Sequence, residues 1–348
     1  MAGGEMRAAF LSGIRDLKLK ETELPGQEND HVLIKIAANG ICGSDIHFYE
    51  DGKLGPFVVD QPYIPGHEAS GVVVSGPVGK APQPGQRVAI EPGIPCRTCS
   101  LCKSGRYNLC TDVRFLSAPP ENGTFADFVS IPWDFAHPLP DSINDETGAF
   151  VEPVSVAIQA CERGGLTAGN TVLIVGAGPI GLVLALVTRA YGASRVYIVD
   201  VQNNRLRLAK EIGADRVFNP ADEDLVSACG EATNGGADIV FDTSGSSTAA
   251  AGTPLLAARG GRVVLVGWPE RGSFEFPVEI ILEKELDIRG VNRYCNTYSK
   301  AISILGELNI DKLISHRFPF EDVAEAFRFT SANRNETVKV MVSHGAGS

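Results

Sequence analysis

Short runs in which apolar and polar residues alternate dominate the first part of the chain. They include "HVLIKIAANG", "GVVVSG" and "RVAIEPG", and Gly and Pro residues separate them. Period-two alternation is typical of strands with one buried face, and the Gly and Pro residues indicate turns. The pattern predicts a small all-β domain with long loops over residues 1–150.

From residue 151 continuous apolar runs alternate with segments of helical periodicity. "TVLIVGAG", "RVYIVD", "DIVFDTSG" and "RVVLVGW" are typical of buried strands, whereas "IGLVLALVTRAYG" and "NNRLRLAKEIGA" have helical spacing. Strands separated by helices predict a doubly wound parallel sheet over residues 151–290, so the fold class is α/β. After residue 290 the pattern changes again, and "RYCNTYSKAISIL" and "FEDVAEAFRFT" are predicted to be amphipathic helices.

Length and charge limit the expected partners. A chain of 348 residues is long enough for two domains with separate cores. The formal net charge is -11, and an acidic surface repels phosphate backbones and anionic lipids. Neither nucleic acid nor a membrane is therefore an expected partner.

The sequence predicts neither a secretory signal nor a membrane-spanning helix. The segment "MAGGEMRAAF" has no apolar core of a secretory signal. No charged residue lies between Gly164 and Arg189, but "GAGPIG" interrupts this stretch and favours strand, turn and helix over a membrane span. We therefore expect a cytoplasmic protein with reduced cysteines.

Four of the eight cysteines lie in "CRTCSLCKSGRYNLC" with the spacing C-x2-C-x2-C-x7-C. Four thiolates from one loop fit tetrahedral Zn²⁺ and leave no open position for a substrate, so the zinc is predicted to be structural. The predicted ligands are Cys96, Cys99, Cys102 and Cys110. Four thiolates on one Zn²⁺ leave two excess negative charges. Three nearby basic residues are predicted to offset them: Arg97, Lys103 and Arg106.

Three other interpretations of the cysteine loop remain open. An iron–sulfur cluster favours a shorter last spacing followed by proline, but Thr111 follows Cys110. A nucleic-acid zinc ribbon has two separate C-x2-C pairs and a basic surface. Four unliganded thiols are the third interpretation. The spacing and the net charge favour structural zinc over all three.

A second candidate metal site lies in "GICGSDIH" and "PGHEASG". Cys42, His67 and Glu68 provide one thiol, one imidazole and one carboxylate on Gly-flanked turns. A mixed set with few protein ligands leaves an open position on zinc, which suits catalysis. Glu152 in "VEPVSVAI" lies at the border with the next predicted domain. Each of these residues alone is more often a surface or packing residue.

The segment "VGAGPIG" contains a G-x-G-x-x-G motif at Gly176, Gly178 and Gly181, directly after an apolar strand. The glycines permit a tight turn, close approach of a pyrophosphate and close helix–strand packing. The next strand ends at Asp200, nineteen residues after Gly181, where an acid binds the ribose hydroxyls of NAD and repels the 2′-phosphate of NADP. Arg205 could instead attract that phosphate, but a position flanking the adenine is favoured, so we predict NAD.

Together these motifs resemble the zinc-dependent medium-chain dehydrogenase/reductase superfamily over essentially the whole chain. Within it the chain is most similar to the polyol dehydrogenases that act on sorbitol, xylitol and L-arabinitol. The segments that carry the resemblance are "CGSDIHFY", "GHEASG", "VAIEPG", "GRYNLC", "VEPVSVAI" and "RYCNTY". The resemblance implies a GroES-like β-domain and a Rossmann domain, a return of residues 291–348 to the catalytic domain, and a homotetramer.

The resemblance also implies roles for individual residues. Cys42, His67 and Glu68 would hold a catalytic zinc, and Glu152 would bind it directly or through water. Ser44 and His47 would form a proton path. The implied polyol contacts are Tyr49, Phe115, Glu152, Arg293 and Tyr294. The implied cofactor contacts, besides the three glycines and Asp200, are Pro179, Ile180, Arg205, Val266, Gly267, Asn292 and Arg293.

The implied reaction is reversible oxidation of a polyol to a ketose, with hydride transfer to NAD and two zinc ions per chain. The enzyme would be of the L-iditol 2-dehydrogenase or D-xylulose reductase type. Ala118 stands where many members have Thr, which removes one polar contact with the sugar chain. Two alternatives remain: an L-threonine or simple secondary-alcohol dehydrogenase, and a non-catalytic zinc protein that binds dinucleotides.

Overall fold

The computed structural model describes residues 4–26, 28–269 and 272–345. Its chain divides into two compact units. Unit 1 consists of Met1–Glu152, Tyr298–Gly306 and Ile314–Ser348, and unit 2 consists of Pro153–Thr297 and Glu307–Leu313.

Nineteen strands are found in the described part of the chain. In chain order they are β1 Glu5–Leu11, β2 Leu17–Glu23, β3 His31–Gly40, β4 Lys53–Leu54, β5 Phe57–Val58, β6 Glu68–Ser75, β7 Arg87–Ile90, β8 Gly93–Ile94, β9 Arg114–Phe115, β10 Phe128–Pro132, β11 Ala136–Pro138, β12 Thr171–Val175, β13 Arg195–Val199, β14 Arg216–Phe218, β15 Ala237–Asp242, β16 Ala257–Leu265, β17 Asp287–Gly290, β18 Ile314–Pro319 and β19 Lys339–Ser343.

Eleven α-helices are found in the same residues. They are α1 Gly43–Asp51, α2 Ser100–Lys103, α3 Asp145–Ala149, α4 Val151–Gly164, α5 Pro179–Ala190, α6 Asn203–Glu211, α7 Leu225–Thr233, α8 Ser247–Leu256, α9 Val278–Lys284, α10 Tyr298–Leu305 and α11 Val323–Ala332. None of the described helices combines the length and the apolarity that a bilayer-spanning segment needs.

Unit 1 is built on a seven-stranded sheet with the order β11-β7-β6-β3-β19-β18, in which β10 also pairs with β3. The period-two pattern of "HVLIKIAANG" becomes β3. Val32, Ile34 and Ile36 alternate along this strand and enter one core cluster with Val88 and Ile90 of β7. Burial of these alternate side chains is what selects the strand register.

The central three strands of this sheet bring distant parts of the sequence together. Gly40, the last residue of β3, pairs with Glu68 of β6 on one side and with Met341 of β19 on the other. Cys42 follows two residues later and is the N-cap of α1. The sheet therefore places the start of α1, the start of β6 and the start of β19 at one end of three neighbouring strands.

Unit 2 contains a six-stranded parallel sheet with the order β14-β13-β12-β15-β16-β17. The predicted doubly wound sheet is confirmed, because this is the strand order of a dinucleotide-binding fold: β13 and β14 are added on one side of β12, and β15, β16 and β17 on the other. The strand β12 is almost wholly buried, as expected for a parallel strand covered on both faces.

Two predictions about the C-terminal part of the chain are wrong in detail. The helix predicted for "RYCNTYSKAISIL" begins only at Tyr298, because Arg293 and Asn296 adopt left-handed φ values of 53 and 58 that a right-handed helix excludes. Residues 291–297 and 307–313 belong to unit 2 rather than to the catalytic domain. The backbone N–H of Val291 extends the β16–β17 pairing by donating to the carbonyl of Leu265, and 310–313 packs on α5.

Candidate active site

Cys42 occupies the N-cap of α1, and Asp45 in the first turn of that helix ties it in place. The backbone N–H of Cys42 donates to Asp45 Oδ2 at 3.0 Å. Asp45 is completely buried, and Ser117 Oγ donates to its Oδ1 at 2.7 Å. Burial alone raises the pKa of Asp45, but the charge of His67 and these hydrogen bonds outweigh it, so the pKa is lowered and the carboxylate stays ionised.

His67 lies just before β6 and faces the same carboxylate. Its Nδ1 is 3.6 Å from Asp45 Oδ1, which leaves Nε2 as the nitrogen for a metal. The preceding residue, Gly66, has a φ of 100 and donates its N–H to Ser117 Oγ at 2.8 Å. Burial lowers the pKa of His67, but Asp45 and Cys42 outweigh burial and raise the pKa well above its usual value.

Glu68 completes a cluster with Cys42 and His67 in which all ligand atoms lie within 4.8 Å of one another. Its Oε2 accepts a hydrogen bond from Lys339 Nζ, whereas its buried Oε1 has no hydrogen-bond partner among the described residues. A buried carboxylate oxygen is costly to leave unsatisfied. The orphaned oxygen, together with one sulfur and one nitrogen donor, therefore fits a zinc ion that keeps an open position.

Glu152 is buried in the first turn of α4. Among the described residues, the cluster of candidate metal ligands contains Cys42, His67 and Glu68 but not Glu152. Its charge nevertheless acts on Lys339, the hydrogen-bond partner of Glu68. Burial lowers the pKa of Lys339, whereas Glu68, Cys42 and, more weakly, Glu152 outweigh burial and raise it. The geometry brings three of the four predicted ligands together and leaves Glu152 as a nearby charge.

The other residues predicted for the catalytic domain have different positions. Ser44 and His47 lie on α1, and His47 Nδ1 is 3.3 Å from Asp51 Oδ2 with 40% of the histidine side chain exposed. The Phe115 ring lies 5.5 Å from the His67 ring, beside the metal-ligand cluster. Tyr49 is buried in the apolar core with its ring 5.8 Å from Phe327 of α11.

This placement of Tyr49 contradicts its predicted role in lining a polyol pocket. The buried residues of α1 include Ile46, Phe48 and Tyr49, and they share one core cluster with α11. The aromatic ring is therefore used for packing, and the charges that act on the Tyr49 hydroxyl come from Arg15, Arg328, Glu325 and Glu50 rather than from the metal ligands.

The predicted substrate residues of unit 2 lie in the loop after β17. Tyr294 is buried, Arg293 is half-buried, and Asn292 is exposed. Burial lowers the pKa of the Arg293 guanidinium. The backbone of Arg293 has a left-handed φ, a conformation that is unfavourable for a non-glycine residue.

The four sulfur atoms of the cysteine loop converge, and all lie within 4.8 Å of one another. Cys99 Sγ is 3.4 Å and Cys96 Sγ is 3.9 Å from Cys102 Sγ. In a tetrahedron with Zn–S bonds of about 2.3 Å the sulfurs are about 3.8 Å apart. The loop therefore has the geometry of a closed zinc site.

The thiols of this loop differ in their electrostatic surroundings. Burial and hydrogen bonds to neighbouring thiols raise the pKa of Cys102 to about 12, as expected when several thiols crowd together. Hydrogen bonds from Thr98 and from the backbone of Cys99 lower the pKa of Cys96 to about 6. The predicted contribution of Arg97 is wrong, because its guanidinium binds Asp134 through two hydrogen bonds of 2.8 and 2.7 Å.

The glycine motif joins β12 to α5 in unit 2. Gly176 has a φ of 104, which favours glycine, and a Cβ at Gly181 would collide with the Gly176 carbonyl. A Cβ at Gly178 would meet no atom within 4 Å, so the space above it is open to a phosphate. Pro179 and Ile180 form the first turn of α5. Each of the three positions thus requires glycine for a different physical reason.

Asp200 follows β13 directly and faces this loop. Its Oδ2 accepts the N–H of Ala177 at 2.6 Å, and its Oδ1 accepts the N–H of Gln202 at 2.8 Å. These bonds fix the orientation of the carboxylate and leave one lone pair on each oxygen. Arg205 lies on α6, and Val266 and Gly267 follow β16, where both donate their N–H groups to the Asp242 carbonyl at 2.9 Å.

Three residues of the site were not found from the sequence: Asp45, Ser117 and Lys339. Asp45 had a recognisable signal, because an acid three residues after a helix N-cap is the pattern of a capping box. Lys339 in "VKVMV" is a charge within an apolar strand and needs a buried partner. Ser117 lies in a loop and carries no signal.

The chain is similar to known zinc-binding dehydrogenases over nearly its whole length. Residues 28–141 match the family model of the alcohol dehydrogenase GroES-like domain, and residues 179–307 match that of the zinc-binding dehydrogenases. Sorbitol dehydrogenase of Bacillus subtilis (strain 168) is 38% identical over 97% of each chain, and that of Rattus norvegicus is 40% identical over 98% of this chain and 96% of its own. The crystal structure of L-idonate 5-dehydrogenase from Escherichia coli has a TM-score of 0.91 at 32% identity, and the match covers 98% of this chain and 99% of that one.

The chain belongs to the zinc-binding dehydrogenases, a family of the medium-chain dehydrogenase/reductase superfamily. Within that superfamily it belongs to the polyol dehydrogenase branch. The predicted combination of a GroES-like β-domain and a Rossmann sheet is confirmed.

Proposed function

We propose that this protein oxidises a secondary hydroxyl of a polyol to the ketone of a ketose and transfers the hydride to NAD, in a reversible reaction. The observation that carries the proposal is the pair of unlike metal sites in one chain: four converging thiols that form a closed set, and the Cys42, His67 and Glu68 cluster with an orphaned carboxylate oxygen. Similarity to sorbitol dehydrogenases supports a polyol as the substrate.

Cys42, His67 and Glu68 would hold the catalytic zinc, which when bound polarises the substrate hydroxyl as a Lewis acid while NAD accepts the hydride. Asp45 orients this set, because it binds the Cys42 N–H and faces His67 Nδ1. The Phe115 ring beside His67 excludes water from one side of the cluster. These contacts fix the ligand atoms before a substrate arrives, which preorganises the site.

Ser44 and His47 would carry the hydroxyl proton away. His47 suits the outer end of such a path, because its imidazole is partly exposed and lies beside Asp51. Glu152 would bind the zinc through water or accept a hydrogen bond from a further substrate hydroxyl. Gly178 and the first turn of α5 would bind the pyrophosphate, and Asp200 would bind the ribose.

We expect Arg293→Ala to weaken oxidation of polyols selectively, because Arg293 is proposed to bind hydroxyls beyond the reacting one. Loss of such a contact costs roughly 1–3 kcal/mol in kcat/KM. The loss should be much smaller for 2-butanol, which has no further hydroxyl. Initial rates of NADH formation with xylitol, sorbitol and 2-butanol measure both effects.

Arg259→Ala is the matched control, since the Arg259 side chain is 69% exposed and pairs with Glu283 on the surface. It should leave kcat/KM unchanged for all three alcohols. If Arg293→Ala lowered kcat/KM equally for xylitol and 2-butanol, Arg293 would not bind the additional hydroxyls of the polyol. A wild-type preference for 2-butanol or L-threonine over every polyol would overturn the proposed substrate class itself.

Further features of the proposal concern the intact enzyme. We propose two zinc ions per chain, because the two ligand clusters are built from separate residues. The resemblance to the polyol branch supports a homotetramer, and eight cysteines that form no disulfide support a cytoplasmic location.

A further inference from the structure

Lys339, the first residue of β19, carries its ammonium into the interior of unit 1. The side chains of Lys339 and Glu68 are each only 1% exposed, and Lys339 Nζ lies 2.5 Å from Glu68 Oε2. The same Nζ donates to the carbonyl of Ile41 at 3.2 Å. A buried charge is strongly unfavourable unless it is paired and hydrogen-bonded, and this lysine meets both conditions with a candidate metal ligand.

The backbone is shaped to admit this pair. Gly40 lies between the two residues in the sheet, next to Glu68 on β6 and next to β19 on the other side. A Cβ at Gly40 would collide with Glu68 Oε2 and would lie 3.3 Å from Lys339 Cδ. The absence of a side chain at Gly40 therefore gives the carboxylate and the ammonium the space in which they meet.

The two oxygens of Glu68 consequently have different surroundings. Oε2 is bound by Lys339, whereas Oε1 is buried without a hydrogen-bond partner among the residues that the structure describes. Cys42 and His67 supply the other two donors of the cluster. One oxygen of this carboxylate thus binds a buried ammonium, and the other has no hydrogen bond to any described residue.

We propose that Lys339 is a positioning residue of the active site: it binds Glu68 Oε2 so that only Oε1 is offered to the metal, and it adds one fixed positive charge beside a metal ligand. The inference rests on the proposed zinc-dependent function. A positive charge at this position stabilises the negative charge that develops on the substrate oxygen. A purely structural counter-ion would neither orient a metal ligand nor affect the rate of the reaction.

The test compares thermal unfolding of metal-depleted and zinc-loaded protein. In Lys339→Met the metal-depleted form retains an unpaired buried carboxylate, whereas in the zinc-loaded form the metal neutralises Glu68. We therefore expect the melting temperature of the depleted form to fall much more than that of the loaded form, so that the gap between them widens. Lys339→Arg should keep the wild-type gap. An equal fall of both melting temperatures would overturn the inference.

Lys284→Met is the control for removal of a half-buried ammonium that binds only backbone carbonyls. Lys284 Nζ donates to the carbonyls of Pro254, Leu255 and Ala257 at 3.2, 2.8 and 2.7 Å in unit 2. Its loss should lower both melting temperatures equally. If Lys339→Met folds only with zinc, that is the extreme form of the expected result. If it does not fold at all, Lys339→Gln replaces it. The glutamine amide still donates to Oε2 but carries no charge, so the gap should again widen, by less than is expected for methionine, and an unchanged gap would overturn the inference.

Steady-state kinetics provide the second readout. Zinc-loaded Lys339→Met should have a kcat for xylitol at least about tenfold below wild type, with KM changed by less than about threefold, because a charge that acts on the developing oxyanion affects kcat. Lys339→Arg should recover most of the rate. Unchanged kcat in Lys339→Met would overturn the inference alone, whereas a wild type without zinc-dependent polyol oxidation would overturn the proposed function.

Discussion

Replacing Cys42 by serine is expected to abolish turnover while leaving a folded protein that still binds NAD. Serine replaces the thiolate with a neutral hydroxyl, so the cluster with His67 and Glu68 loses both a strong zinc ligand and a negative charge. The Lewis acid that activates the hydroxyl is then lost, and kcat should fall by at least about a thousandfold. Metal analysis should find one zinc per chain fewer than in wild type.

The comparison with Cys99→Ser separates the two metal sites. Cys99 caps α2 and accepts a hydrogen bond from the Cys102 N–H within the closed four-thiol set. Its loss should lower the melting temperature or disturb assembly, whereas the molecules that fold should retain measurable turnover. A fully active wild type with a single zinc per chain, or substantial activity in Cys42→Ser, would contradict the assignment of a catalytic and a structural zinc.

Asp200→Ser is expected to remove most of the preference of the enzyme for NAD over NADP. In wild type the Asp200 carboxylate is fixed by the N–H groups of Ala177 and Gln202, which directs it toward the ribose-binding side of the glycine loop. Hydrogen bonds to a charged group contribute roughly 1.5–3 kcal/mol each, so two of them predict at least a hundredfold preference in kcat/KM. Initial rates with each cofactor at saturating polyol measure it.

Asp200→Asn is the control for the charge. Asparagine keeps the shape of the side chain and one oxygen acceptor, but it does not repel the 2′-phosphate. The preference for NAD over NADP should therefore fall in Asp200→Asn, but by less than in Asp200→Ser. Arg205 on α6 could then attract that phosphate, and Arg205→Ala in the Asp200→Ser background should weaken NADP use. A wild type that uses both cofactors equally would show that Asp200 does not contact the ribose.

The sheet of unit 2 could be predicted closely because its signal is local. The apolar run of β12, the glycine turn and the helix α5 follow one another within twenty residues, and each has its own sequence pattern. The loop from Arg293 to Asn296 was predicted to be helical because its residues have no strong helix-breaking type. The left-handed backbone there is imposed by tertiary context, which a single sequence does not contain.

The metal ligands could be predicted by residue type, whereas their supporting residues could not. Cysteine, histidine and glutamate are chemically informative wherever they occur near glycine turns. The contact between Lys339 and Glu68 joins residues separated by 271 positions, and it depends on the pairing of β3 with both β6 and β19. Tyr49 shows the opposite error, because a polar aromatic residue near a ligand was assigned to the substrate although helix periodicity turns it toward α11.

The most direct test of the account is the initial rate of NADH formation from NAD⁺ with sorbitol, xylitol, L-arabinitol, galactitol, L-threonine and 2-butanol, before and after removal of the catalytic zinc. The account predicts the highest kcat/KM for one of the polyols, loss of that activity with the metal, and recovery when zinc is restored. A best rate with L-threonine or 2-butanol, or polyol oxidation that persists without zinc, would contradict it.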